Sequence, residues 1–439
     1  MVSRARVRLG WTFALPLAAA ALGRIVQVPG VEAIENPFGP GPKVGVLALG
    51  VLPFVTAFVL VELAALLVPA LARLRLEAEG RAKLNRASRG LGVLLASAQA
   101  FGMALSLRTL TEGPLVGGSE GVSVPVVTAT LVGGACACFV AAEHVTRQRL
   151  VNGPVLFLAA TGLADLGDTL REAATRARML GDLTPASVLG SVALLAAPCV
   201  ATWYLLTRRS RGPSHEAPHG GPFREAPLAV GTSRWLASPL GSLVAFAIGS
   251  RLLAIPVSLS ALGGGAAVLE RSPWLYEALR LVVCSAVAVT IGRRLGPADA
   301  EAALARRLGV PLAPEAEGIR REELVRTMAY FALLGGATVL TGARGPSVPV
   351  VTLALVTAVT LDLWRGVRAS SLVPVADERA PFAPRLIEAA LAARGVEATT
   401  TGGAALQLLQ GFTPFGGATV HVAEADADRA RDALGSAGD

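Results

Sequence analysis

Residues 48–89 read ALGVLPFVTAFVLVELAALLVPALARLRLEAEGRAKLNRASR, and this stretch decides the fold. It opens as an apolar run of helix length with a proline near each end, Pro53 and Pro69. It then passes without a break into a basic segment, in which Arg73, Arg75, Arg81, Lys83, Arg86 and Arg89 face only Glu77 and Glu79. An apolar run of about 20 residues is long enough to cross a bilayer core of about 30 Å. Cations clustered directly after such a run mark its cytoplasmic flank. One carboxylate, Glu62, lies inside the run. At membrane depth it costs roughly 2.5 kcal/mol or more unless it is paired, hydrated or protonated.

The rest of the chain repeats this pattern. Of 439 residues, 53% are hydrophobic and 16% charged, with a mean hydropathy of +0.56, whereas a soluble domain carries about 25% charged residues. Apolar runs place about ten spans near 9–28, 46–71, 89–107, 124–144, 152–167, 186–207, 236–257, 273–292, 324–341 and 348–365. The net charge of +8 is no sign of nucleic-acid binding, because of where it sits. Arg4, Arg6 and Arg8 precede the first run, and Arg147 and Arg149 follow the fourth. Arg208, Arg209 and Arg211 follow the sixth, Arg293 and Arg294 the eighth, and Arg365 and Arg368 the last. Basic loops alternate with neutral or acidic ones, the positive-inside pattern, which puts both termini in the cytoplasm. Residues 1–29 could pass for a signal peptide, but the apolar run continues to Val28 and further spans follow.

Nothing in the chain has the spacing of a catalytic or metal centre. Cys136, Cys138, Cys199 and Cys284 lie within apolar runs, and a lone Cys-x-Cys is the wrong spacing for a zinc clip. Of the histidines, His215 and His219 flank Pro218 in a proline- and glycine-rich loop, which no helical metal pair tolerates. No enzyme activity, cofactor or metal is expected.

The order of residues 48–89 resembles the second span and first cytosolic loop of the SecY family of protein-conducting channels. That family reads close to ALGIMPYISASIIIQLL, then HP, then a KKEGExGRRKI loop. Ala48, Leu49, Gly50, Pro53, Ala57, Leu63, Pro69, Leu71, Gly80, Arg81, Lys83 and Arg89 fall in register without a gap. Val28-Pro29-Gly30-Val31 is similar to the family's RLGxFIPIPGI. Glu143, Thr146, Asn152 and Gly153 fall on its GEQITERGIGNG. Weaker echoes are Pro227-Leu228, the long loop ending in Gly318-Ile319-Arg320, and Asp362 near the end of the tenth span. The resemblance covers about residues 10–368.

It implies an all-α polytopic membrane protein with about ten transmembrane helices in two inverted five-helix halves. Residues 1–369 would form this SecY-like channel domain. An aliphatic ring would narrow the pore, passing an extended peptide while blocking ions by dewetting. By register Val51, Val55 and Leu158 belong to that ring. Glu62 and Gln99 fall at the lateral gate, where Glu62 should face a polar crevice with Gln99 as its partner. An internal helix–helix hydrogen bond is the alternative for Glu62. Arg81, Lys83 and Arg320 fall where cytosolic partners dock, Arg320 being suited to bidentate contact with an acidic surface. The implied partners are SecE-like and SecG-like subunits, a SecA motor or ribosome, unfolded preproteins and membrane lipid, with no nucleic acid.

Docking motifs depart from the family more than fold motifs do. The segment between Val31 and Ala48, the expected plug, is short, and Pro37, Pro40 and Pro42 interrupt any helix there. The loop after span six is reduced to RGPSHEAPHGGPFREAP, and Arg321-Glu322 replaces a Pro-Gly after Gly-Ile-Arg. This pattern fits a divergent paralog. The leading reading is a preprotein translocase channel subunit of the inner membrane. The alternative is a non-transporting scaffold or sensor acting through its C-terminal domain. A small-solute transporter fits the hydropathy but not the span-two motif.

Residues 370–439 read as a small cytosolic α/β domain. Leu372–Val375, Val396–Thr401 and Ala418–Ala423 read as strands, and Pro384–Ala393 has helical spacing closed by Gly395. Glu424, Asp426 and Asp428 favour the start of a last helix. This order and the ending VHVAEADADRARDAL resemble a small bacterial domain labelled a signal-transducing protein.

Overall fold

The computed structural model describes chiefly residues 2–28, 45–68, 78–111, 123–180, 350–378, 383–404 and 417–435. Shorter described pieces lie at 35–36, 39–40, 196–197, 199–203, 228–229, 281–287, 304–308, 312–313 and 328–330. The chain divides into two compact units, one of residues 1–164 with 414–416 and one of residues 165–413 with 417–439.

The first unit is a helix bundle. Helix α1 runs Val2–Ile25, with Pro16 inside it. Between α1 and the next helix, strands β1 (Glu35–Asn36) and β2 (Gly39–Pro40) pair antiparallel, and Gln27 bridges Gly45. The Val46 N–H donates to the Val26 carbonyl at 3.0 Å, so the neck of this segment is closed by backbone hydrogen bonds. Helix at Pro40 was not expected, and none forms there.

A turn with Gly50 at φ +50 leads into α2, Leu52–Leu67. Glycine enters that left-handed region without steric cost. Pro53 sits in the first turn of α2, where its missing N–H deprives the helix of nothing. The expected span 46–71 is therefore trimmed at both ends. The unbroken passage into the basic segment is also corrected. Val68, at φ −100 and ψ 114, is extended, as the residue before a proline must be to avoid the ring.

Helix α3, Ala78–Thr111, begins well before the expected residue 89. Residues 78–89, read as a loop, are its first turns; their Ala, Arg, Lys and Leu content favours helix. Helix α4 spans Val124–Arg147 and α5 spans Gly153–Leu180, both beyond the expected limits. Among the described residues, the stretches Glu79–Arg108 and Val124–Arg147 are long and apolar enough to cross a membrane. Gly10–Gly23, Leu52–Ala65 and Gly153–Ala164 are shorter apolar helices. The outward side chains of α3 and α4 include Leu94 and Val140, each 65% exposed, and Phe101. A helix apolar on its outer face suits a lipid surround rather than water.

Helix α2 packs on α3, α3 on α4 and α1 on α4. The rings of Phe54 and Phe139 stack at 4.2 Å. A Cβ at Gly92 would lie 2.5 Å from the Phe54 ring, and one at Gly134 would lie 2.1 Å from the Val46 carbonyl oxygen. Small residues thus let these helices approach closely, as membrane helix packing requires.

In the second unit, the expected spans at 186–207, 236–257, 273–292 and 324–341 lie mostly outside the described residues. Within the described pieces, Thr202 and the buried Tyr330 share a hydrogen bond of 2.8 Å. Strands β3 (Leu228–Ala229) and β4 (Leu312–Ala313) pair in parallel. Helix α6 runs Val350–Ala369 and ends in a tight turn, with the Leu372 N–H donating to the Ala369 carbonyl.

Strand β5 (Val373–Glu378) follows at once, then helix α7 (Ala383–Ala393), β6 (Ala398–Thr401), β7 (Ala418–Val422), a 3-10 turn at Glu424–Asp426 and helix α8 (Ala427–Gly435). The sheet is antiparallel, in the order β5-β7-β6. Leu386, Ile387, Ala390 and Leu391 of α7, Val420 and Val422 of β7, and Ala427, Ala430 and Ala433 of α8 are buried together. Gly395, at φ +72, closes α7, and the Val396 N–H reaches back to the Leu391 carbonyl. His421, fully buried, lies 3.0 Å through Nε2 from Thr401 Oγ1. The α7 and α8 ends meet where Arg394 donates to the Ala433 carbonyl.

Candidate functional site

Charged side chains of α3 and α4 meet in the first unit. Arg89, near the start of α3, donates to Glu143 Oε1 at 2.5 Å, and Glu143 also faces Arg147 at 4.0 Å near the end of α4. Trp11 packs edge-on against His144 at 5.7 Å. The turns of α1 that carry Arg4, Arg6 and Arg8 immediately precede Trp11. Arg89, Glu143 and Arg147 therefore meet where α3 and α4 pack together.

The turn from α4 to α5 is built by the motif residues themselves. Thr146 Oγ1 donates to the Ala142 carbonyl at 3.1 Å and accepts the Gly153 N–H at 2.9 Å. Asn152 Oδ1 accepts the Val155 N–H at 3.2 Å, capping α5. A Cβ on Gly153 would lie 1.8 Å from the Ala142 carbonyl oxygen. Glu143, Thr146, Asn152 and Gly153 therefore hold one tight helix–turn–helix junction.

Arg149, at φ +60, is the one described non-glycine residue in the left-handed region. Such a backbone costs an L-residue roughly 1–2 kcal/mol. The Arg149→Gly protein should accordingly be more stable than the Arg149→Ala protein by about 1 kcal/mol. Thermal unfolding of both in detergent measures this. Equal melting points would mean that the turn relaxes elsewhere.

The ring and gate residues are only partly gathered. Val51 is buried just before α2, and Val55 on α2 and Leu158 on α5 are half-buried. Glu62 is 5% exposed, buried on α2, whereas Gln99 is exposed on α3. Ala96 and Ala100, on either side of Gln99 along α3, are buried. Arg81 is half-buried and Lys83 exposed on the first turns of α3, and Arg320 lies outside the described residues. Among the described residues no group of His, Cys, Asp and Glu is arranged to hold a metal ion. The Arg89–Glu143 pair was not foreseen; its signal was two motif residues of opposite charge at the ends of consecutive spans.

The first unit is thus a helix bundle that includes, among the described residues, two helices long and apolar enough to cross a membrane. Comparison with known proteins narrows the reading. The SecY family model matches residues 45–219. The protein translocase subunit SecY of Rickettsia typhi is 32% identical over 164 residues, covering 32% of this chain and 38% of that protein. SecY of Vibrio cholerae is 28% identical over 209 residues, covering 43% and 46%. SecY of Pseudomonas aeruginosa is 27% identical over 230 residues, covering 46% and 49%. The chain thus matches less than half the length of these relatives. A solved structure from work on the SecY plug domain overlaps 83% of this chain and 92% of that chain, with a TM-score of 0.48 and 13% identity. The similarity to SecY proteins thus lies in residues 45–219, the region that holds α2 to α5.

Proposed function

We propose that this protein is a channel subunit that conducts unfolded polypeptides across, or laterally into, the cytoplasmic membrane. One observation supports the reading: the family-matched region, residues 45–219, contains the α4–α5 junction and the Arg89–Glu143 ion pair. In this reading about ten spans form two inverted halves, residues 1–369, with both termini cytoplasmic. Residues 370–439 form a separate cytosolic domain. Val51, Val55 and Leu158 line the ring. Arg81, Lys83 and Arg320 face a SecA-like motor or ribosome, and SecE-like and SecG-like subunits clamp the halves. The work is geometric, so no catalytic residue is assigned. Recovery of SecE-like and SecA-like proteins with the tagged chain, from detergent-solubilised native membranes, is expected. Recovery of neither, from a folded and monodisperse sample, would count against the channel.

Within the same reading Glu62 is a gate residue. The Glu62→Leu protein should be less stable, because removing one member of a buried polar contact strands the other. Its transport rate should fall. Unchanged transport would remove Glu62 from the gate and leave it a helix–helix contact.

The scaffold or sensor reading has one observation in its favour. Part of the long cytosolic loop, the helical segment 304–308, is buried in the core of the C-terminal elements.

A further inference from the structure

We propose that the outward face at the end of α6, formed by Trp364, Val367 and Arg368, is a seat for an anionic phospholipid that holds the C-terminal sheet against the membrane surface. That α6 crosses the membrane is part of the channel reading above, and the seat is tested apart from transport. The last two turns of α6 have two faces. Helix α6 packs on β6, where the buried Asp362 accepts the Ala404 N–H at 2.9 Å. Gly366 and Ala369, at helical spacing from Asp362, are buried as well. On the opposite side, Trp364 is 50% exposed, Val367 is 46% exposed, and Arg368 is exposed. Residues three and four apart share a helix face. Two arginines that look alike in the sequence are therefore placed differently. A Cβ on Gly403 would lie 4.0 Å from Arg365 Nη1, whereas the Arg368 guanidinium lies over the Trp364 ring, 3.8 Å from its centre.

Three observations assign the occupant. The first is the level of the patch along α6. Residues 350–361, VVTLALVTAVTL, hold no charge. The hydroxyls of Thr357 and Thr360 are spent within the helix, on the Leu353 and Val356 carbonyls at 2.8 Å, as a lipid surround demands. The elements that meet α6 from Asp362 onward carry exposed Asp428, Arg431 and Asp432 on α8 and belong in water. Trp364 falls at the crossover, where an aromatic ring with a polar N–H is favoured. The second is charge. Stacking on Trp364 engages the face of the Arg368 guanidinium, and its in-plane N–H edge matches a phosphate bidentately. No carboxylate among the described residues pairs with Arg368. The third is Val367, which adds apolar surface to the cation and the ring. A free phosphate ion would use Arg368 and leave Trp364 and Val367 in water, whereas a lipid covers all three. Only three residues separate α6 from β5, so a lipid seated here sets the height of the sheet at the bilayer.

The test uses the full chain in lipid nanodiscs, labelled with 5-fluorotryptophan. The Trp364→Phe protein identifies the Trp364 fluorine signal by its loss. The discs carry a small fraction of phosphatidylglycerol or phosphatidylcholine with a nitroxide near the top of one acyl chain. Labelled phosphatidylglycerol should broaden the Trp364 signal about twofold more than labelled phosphatidylcholine, as attraction of an anionic headgroup to Arg368 requires. In the Arg368→Gln protein the two lipids should broaden it equally, with the melting point unchanged. A Trp364 signal broadened by a water-soluble paramagnetic chelate and by neither lipid would overturn the proposal. So would equal broadening by the two lipids in the unaltered protein, or a preference that survives Arg368→Gln. A phosphatidylglycerol preference in a protein that fails to transport polypeptides would keep the seat and discard the channel. Transport by a protein whose Trp364 meets no lipid would do the reverse.

Discussion

The Gly153→Ala protein is expected to lose about 3 kcal/mol of stability or more, at the upper end of what overpacking costs. The added methyl would lie 1.8 Å from the Ala142 carbonyl oxygen and 2.9 Å from Thr146 Oγ1. The first obstacle is backbone, so no rotamer change relieves it, and α4 and α5 must separate. Separation in turn breaks the bond from the Gly153 N–H to Thr146 Oγ1. The fitting control is Gly90→Ala on α3, where the new methyl meets nothing within 4 Å. That change should stabilise the helix by about 0.5–1 kcal/mol. Melting followed by circular dichroism in detergent separates the two. If both proteins melted alike, the α4–α5 junction would not be the close contact described above.

The Asp362→Ala protein is expected to loosen the C-terminal elements from α6. Asp362 is fully buried and accepts the Ala404 N–H at 2.9 Å. Ala404 lies just after β6, in the helical turn at 403–404. Removing the acceptor leaves a buried N–H unsatisfied, at a cost of about 1–3 kcal/mol. Hydrogen exchange of residues 398–404 should accelerate about tenfold or more, because 1.4 kcal/mol is tenfold in an equilibrium. Asp362→Asn keeps an acceptor oxygen and should have the smaller effect. Equal exchange in all three proteins would mean that Asp362 does not anchor these elements.

These two residues show what the sequence made legible. Gly153 lay in a recognisable motif, but a motif names positions without saying what they touch. Its meaning, a close backbone approach between consecutive helices, needed the geometry. Asp362 was matched to a family position near the end of a span, yet its partner is a backbone amide 42 residues later. No local pattern encodes such a pairing. Helix and strand positions in 372–435 were legible because each carried its own stop signal, such as Gly395 with φ +72.

The boundaries failed where hydropathy and helix propensity disagree. Residues 78–89 are too polar to read as membrane span, yet they are good helix formers and extend α3. Conversely, residues 46–51 and Val68 are apolar enough to read as span, but a glycine turn and a proline exclude them from α2. Family register fixes which helix Glu62 and Gln99 are on, but not how buried each is: Glu62 is buried on α2 and Gln99 exposed on α3. The burial of 304–308 had no sequence signal beyond two apolar residues at a spacing of three.

The central claim is that this chain conducts polypeptides, and reconstitution tests it most directly. The purified chain, with its SecE-like subunit, would be placed in proteoliposomes with the motor, ATP and an unfolded preprotein. The account predicts ATP-dependent protection of the preprotein from external protease. A folded, reconstituted complex that binds the motor yet protects no preprotein would contradict it.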